Sequence, residues 1–186
     1  MNKVSIVYHS ESGCTESVAK SIMHGLKMGG ADVYMASCTG NVDLAKLNES
    51  DAILFGCPTY YGSVTAQMKT FMDRLYEIWS TQAWKNKIAA GFTDSSALNG
   101  DKLNVLTQFM LFAMQHSMIW VGVETLPRDE RKKLPFQYNR MGGWLGLMSQ
   151  SDGEGMGKTP PESDHQTAEM FGQRIVSICN KLKGRG

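Results

Sequence analysis

The chain is poor in metal-binding sulfur and has almost no net charge. Its 186 residues hold four cysteines, at positions 14, 38, 57 and 179. None forms a C-x-x-C pair or has metal-ligand spacing, which argues against a zinc or disulfide framework. They read as reduced thiols, the state expected in the cytoplasm. Lys and Arg number 19 against 18 Asp and Glu, a net charge of +1. With no dense basic cluster, nucleic acid is not an expected partner. No targeting segment precedes the first apolar run, and there are no internal repeats or low-complexity linkers. No catalytic triad or carboxylate pair stands out. The longest apolar stretch, residues 103–123, is interrupted by Asn104, Gln108, Gln115 and His116. It reads as a buried helix running into a buried strand, not as a membrane span.

What is present is a regular alternation. Apolar residues make up 42% of the chain and charged residues 20%, the balance of one globular domain over residues 1–186. Five short apolar runs, at residues 4–8, 32–36, 51–56, 87–93 and 118–123, are continuous and do not alternate with polar residues. That pattern suits strands covered on both faces, as in a parallel sheet. Amphipathic helical patterns fall at residues 15–28, 64–79, 101–115 and 163–183, with a short turn around residues 44–47. The order predicts an open α/β sheet wound on both faces, with its ligand beyond the carboxyl ends of the strands. Residues 142–161, rich in Gly and Ser, read as a surface excursion.

Three loops at those ends carry the chemistry. The first is Ser10-Glu11-Ser12-Gly13-Cys14-Thr15. It joins a strand to a helix start, where unpaired amides and the helix dipole favour an anion. Ser10, Ser12 and Thr15 can donate to phosphate oxygens, and Gly13 lets the backbone approach. Serine and threonine also cap helices in the ordinary way. Three hydroxyls with no lysine or arginine point away from nucleoside triphosphates and toward a phosphomonoester. The second loop, Pro58-Thr59-Tyr60-Tyr61-Gly62-Ser63, has Pro and Gly to fix a tight turn. Tyr60 or Tyr61 offers an aromatic face to a flat ring or to a partner subunit. The third is Thr93-Asp94-Ser95-Ser96, running on to Gly100.

The pattern [Ser/Thr]-x-[Ser/Thr]-Gly-x-Thr at residues 10–15 resembles the phosphate loop of the flavodoxins. The Pro58 loop followed by Gln67-Met68-Lys69 resembles the flavin-ring loop of flavodoxin-like NAD(P)H:quinone oxidoreductases and NADPH-dependent FMN reductases. The resemblance implies a flavodoxin-like fold: a five-stranded parallel sheet in the order 2-1-3-4-5. It implies FMN as cofactor, NAD(P)H as transient donor and a quinone-like acceptor. It also implies a homodimer or homotetramer. All three loops would hold FMN, the third along the dimethylbenzene and ribityl side. The family's usual glycine-rich run is missing from the third loop. By the same resemblance His116 would meet the flavin or a quinone, and Trp79 would stack on the ligand. The residues alone also allow a helix-end histidine and a core tryptophan. Cys14 and Cys57 read as space-filling residues, with a redox role the alternative. The near-neutral charge favours a reductase over an electron carrier, since carriers dock through acidic surfaces. A flavin-binding regulatory or structural subunit is the further alternative; thirteen methionines and four tryptophans suggest adaptable apolar surface. The segment Gly153 to Thr159 lacks the strand, the helix and the first glycine of a nucleotide P-loop, so that reading is set aside.

Overall fold

The computed structural model describes residues 1–125, 138–151 and 160–184. Its centre is a parallel sheet built from β1 (Asn2–Tyr8), β2 (Ala31–Ser37), β3 (Ala52–Pro58), β4 (Ile88–Ser95) and β5 (Ile119–Trp120), in the order β2-β1-β3-β4-β5. The expected flavodoxin-like order is therefore present. All seven residues of β3 are buried. The continuous apolar runs arise because both sheet faces are covered. On one face Val4, Ile6 and Leu54 pack with Val18 and Ile22 of α1 (Cys14–Met28) and with Phe171 and Ile175 of α6 (Glu162–Leu182). On the other face Val7, Ile53 and Phe55 meet Met68 and Phe71 of α3 (Ala66–Asp73) and Val105 and Phe109 of α5 (Lys102–Gln115). Alternate strand residues thus serve opposite layers.

Three elements differ from expectation. The turn at residues 44–47 is a helix, α2 (Leu44–Glu49), capped by the Asp43 carboxylate, which accepts from the Ala45 and Lys46 amides at 3.0 and 3.4 Å. The helix expected over 64–79 is broken into α3 and α4 (Tyr76–Ser80). At the break the amides of Arg74 and Leu75 reach back only three residues, to Phe71 and Met72.

The fifth strand differs most. Residues 118–123 were expected to form it, but β5 is only Ile119–Trp120, beside Ile88 and Ala89. Farther along β4, Phe92 to Ser95 pair in parallel with another strand, β6 (Leu147–Gln150). The fifth place in the sheet is therefore filled twice, by two segments of chain. The chain leaves after Val121 and returns at Trp144, where the Val123 amide donates to the Trp144 carbonyl at 3.1 Å. The indole of Trp120 donates to the Leu145 carbonyl at 2.7 Å, closing the base of the excursion. So the segment 142–161 is not wholly a surface excursion. The P-loop-like run Gly153 to Thr159 lies outside the described residues. Among those residues, no helix is long and apolar enough to cross a membrane.

Candidate functional site

The loop between β1 and α1 stands at the carboxyl end of the sheet. Here the sheet order reverses between β1 and β3, the place where such sheets take ligands. Gly13 takes φ 90°, in the left-handed region that glycine enters without strain. The Ser10 hydroxyl oxygen accepts from the amides of Gly13 and Glu16 at 3.1 and 3.2 Å. Ser10 therefore caps the helix with its lone pairs while its own proton stays available. The first-turn amides of Cys14 and Thr15 donate to no described residue. Two unpaired amides at the positive end of a 15-residue helix are suited to receive an anion. Ser12 is exposed beside them, and Thr15 is buried.

The second loop is a two-residue hairpin turn. Tyr60 and Ser63 exchange both backbone hydrogen bonds, at 3.3 and 3.0 Å. Tyr61 and Gly62 between them take φ 50° and 71°. Positive φ at both central residues marks a tight primed turn, one that suits glycine and strains tyrosine. Tyr61 is fully exposed at its tip, and Tyr60 is 44% exposed. The turn is tied down from α5. Asn104 Nδ2 donates to the Gly62 carbonyl at 2.6 Å, and the Ser63 hydroxyl donates to Gln108 Oε1 at 3.2 Å. Burial, and after it the charges of Glu11 and Asp94, push the Tyr60 phenol above its usual pKa. The His9 amide donates to the Gly56 carbonyl at 2.9 Å and the Thr59 amide to the Asp94 carbonyl at 2.8 Å, so the first loop, the turn and the end of β4 adjoin one another.

The third segment is more engaged than its sequence suggested. Thr93, Asp94 and Ser95 belong to β4 and not to a loop. The Thr93 hydroxyl is buried, 2.7 Å from that of Thr59, and donates to the Cys57 carbonyl. The Asp94 carboxylate is buried too, and accepts from the hydroxyls of Ser149 and Ser151 at 2.7 and 2.6 Å. These side chains brace the floor of the site. What faces outward begins at Ser95 and Ser96. The fold packs β6 beside Asp94, so Ser149 and Ser151 could not be paired with it from sequence.

His116 and Trp79 are not brought to these loops. His116 caps the far end of α5, 12 residues beyond Asn104 and so about 18 Å along the helix. It is buried, with its ring 5.0 Å from that of Trp84 and 4.5 Å from that of Phe112. Burial lowers its pKa below the usual imidazole value, and its Nδ1 has no partner. Trp79 and His116 instead line one cavity of about 390 Å³ between α3–α4 and α5, with Tyr76, Leu111 and Phe112. The carried-over roles of these two residues find no support in their placement.

Sequence reasoning missed His9, the last residue before the hydroxyl loop. It is buried, its Nε2 lies 3.5 Å from Glu11 Oε2, and its Nδ1 has no partner. Burial lowers its pKa and Glu11 only partly offsets that. A histidine directly before a helix-start hydroxyl loop was the available signal. All four cysteines are free and buried. Burial pushes the Cys57 thiol up to about 12 and that of Cys38 to about 11, which suits space-filling thiols and not reactive ones.

The family model for NADPH-dependent FMN reductase matches residues 44–128. Flavodoxin FldP of Pseudomonas aeruginosa is 32% identical over 185 residues, covering 98% of this chain and 99% of that protein. The chain belongs to the flavodoxin-like family. An NAD(P)H dehydrogenase (quinone) of Archaeoglobus fulgidus is 28% identical, covering 98% of this chain and all of that one. Among solved structures, a flavodoxin, WrbA-like protein of Agrobacterium tumefaciens has 31% identity and a TM-score of 0.75, covering 97% of this chain and 99% of its own. The family placement accounts for the carboxyl-edge loops. It leaves the filling of the fifth strand place by two segments to be read from this chain.

Proposed function

We propose that this flavodoxin-like oxidoreductase binds FMN at the carboxyl edge of its sheet and uses it to reduce quinone-like acceptors with NAD(P)H. The observation that carries the reading is the pair of unpaired Cys14 and Thr15 amides, ringed by hydroxyls, beside a braced tyrosine turn. The donor set fits a phosphomonoester: helix-start amides and neutral hydroxyls suit a terminal phosphate without a lysine. Ser10, Glu11, Ser12, Gly13, Cys14 and Thr15 would surround that phosphate. Pro58, Thr59, Tyr60, Tyr61, Gly62 and Ser63 would frame the ring, with Ser95 and Ser96 beyond. Bound FMN supplies two-electron chemistry between a nicotinamide and a quinone, so the protein needs no side-chain nucleophile. The chain's own part is to fix the phosphate, present a flat aromatic surface at Tyr60 and Tyr61, and leave one ring face open.

A homodimer or homotetramer in the cytoplasm fits the exposed apolar residues Leu111, Met114 and Tyr76 along α4 and α5. The second reading is an electron carrier, favoured by the relative called a flavodoxin and opposed by the net charge of +1. Anaerobic mixing of the FMN-loaded protein with NADPH or NADH and then benzoquinone separates them. The proposal expects each nicotinamide oxidised to be matched by one quinone reduced. Absence of nicotinamide oxidation with either donor would contradict it.

A further inference from the structure

Lys102 is a buried cation that the reading above does not use. It stands at the first position of α5, is 0% exposed, and is called on by no substrate-binding role so far. Its Nζ donates to the carbonyls of Ala97, at 2.5 Å, and Leu98, at 3.3 Å. No described carboxylate makes an ion pair with it. Asp94 and Asp164 act on it only through space, and Arg140 opposes them. An ammonium is strongly hydrated in water, and burying one against two neutral carbonyls is costly unless something else gains.

The gain lies in the polarity of the loop that follows β4. The carbonyls from Ser95 to Asn99 are engaged. Ser95 O accepts from the Ser151 amide at 3.2 Å, Ser96 O from Gln150 Nε2 at 2.9 Å, and Asn99 O from the Lys102 amide at 3.2 Å. Ala97 and Leu98 are taken by the Lys102 ammonium. The amides of residues 96–101 donate to no described residue. The loop therefore has the acceptors of residues 95–99 engaged, while the amides of residues 96–101 have no protein partner among the described residues. The Thr59 amide bonds to the Asp94 carbonyl at 2.8 Å, so this edge adjoins the tyrosine turn. A run of free amides backed by a buried positive charge suits electron-rich oxygens, as in an anion-binding nest.

We propose that Lys102 is a positioning residue of the cofactor site: by holding the Ala97 and Leu98 carbonyls it presents the 96–101 amides to the carbonyl-bearing edge of the flavin ring, and not to the dimethylbenzene and ribityl side that the resemblance implies for this loop. Its charge, felt through the loop, favours the more electron-rich reduced ring. This rests on the FMN reading. It adds a claim about the ring end of the ligand, separate from the phosphate end at Ser10 to Thr15.

The test uses apoprotein titrated with FMN and with riboflavin, which lacks the phosphate. Lys102→Met is expected to weaken both by the same factor, about tenfold, the scale of losing hydrogen bonds to a charged group. The midpoint potential of the bound flavin is expected to fall; a further tenfold loss for the reduced form alone is about 30 mV for two electrons. Lys102→Arg should recover part of both effects. A lower melting temperature with unchanged riboflavin affinity and unchanged potential would show a purely structural role and overturn the proposal. Should Lys102→Met not fold, hydrogen exchange in the wild-type protein decides. Added FMN should slow the amides of residues 96–101, and unchanged exchange there refutes the proposal. If the wild-type protein binds no FMN at all, the underlying reading fails; if it binds and Lys102→Met behaves like it, only the role of Lys102 fails.

Discussion

The third and fifth places in the sheet are built by opposite means. Strand β3 is one unbroken segment, buried at every residue, and its side chains meet apolar layers above and below. The fifth place is shared by β5 and β6, and beside apolar Leu147 it carries a set of polar contacts. Asp94 is held by Ser149 and Ser151, and the Asp164 carboxylate is held by the Arg140 guanidinium and the Gln150 amide. The first arrangement gives rigidity through packing. The second joins α6, β6 and the loop after β4 through directional bonds, each of which needs its partner. The proposed cofactor edge adjoins both, with one wall set by packing and the other by hydrogen bonds.

That comparison can be strained from both sides. Phe55→Ala should cost most, about 3–5 kcal/mol, because Phe55 is fully buried against Trp84, Phe109 and Phe112. Denaturant unfolding measures it, and a cost below that of any polar variant discussed next would reverse the ranking. Asp164→Ala should cost about 2 kcal/mol. Asp164 is 2% exposed, but the Arg140 side chain is 23% exposed and regains some water when its partner is lost. Ser149→Ala should cost about 1 kcal/mol, since Ser151 still holds the Asp94 carboxylate. Removing both hydroxyls should cost more than the sum of the two single changes, and strict additivity in the double-mutant cycle would deny that they act as one network.

The smallest effect is in pH. Burial lowers the pKa of both His9 and His116 in the folded protein. Each takes a proton less readily when folded than when unfolded. Their stabilising contribution is present above the unfolded imidazole pKa of about 6.5 and is lost as pH falls through the lower folded value. Stability should decline from pH 7 toward 5, and His116→Phe should flatten that slope. A slope unchanged by the substitution would mean that His116 is already hydrated.

The same contrast explains what the sequence revealed. Apolar runs such as Ile53-Leu54-Phe55 announce a strand buried on both faces, and Gly13 amid hydroxyls announces a helix start open to an anion. Both signals are local. The four residues of β6 carry Ser149 and Gln150 among apolar neighbours, and only their pairing with β4 makes them a strand. No residue pattern marks Lys102, because its carbonyl partners belong to a loop whose shape the sequence does not give. The resemblance implies a ligand contact for His116 and the residues alone allow a helix-end histidine; the length of α5 carries it to the opposite end of the sheet. Position along one helix decided that outcome, and residue type did not.

The central claim is that the amides of Cys14 and Thr15, with the surrounding hydroxyls, hold the phosphate of FMN. Comparing FMN with riboflavin on the wild-type apoprotein, by quenching of flavin fluorescence, tests it most directly. The account predicts that FMN binds at least about a hundredfold tighter, about 2.8 kcal/mol, with a smaller gap in Ser10→Ala. Equal affinity for the two flavins, or binding of neither, would contradict it.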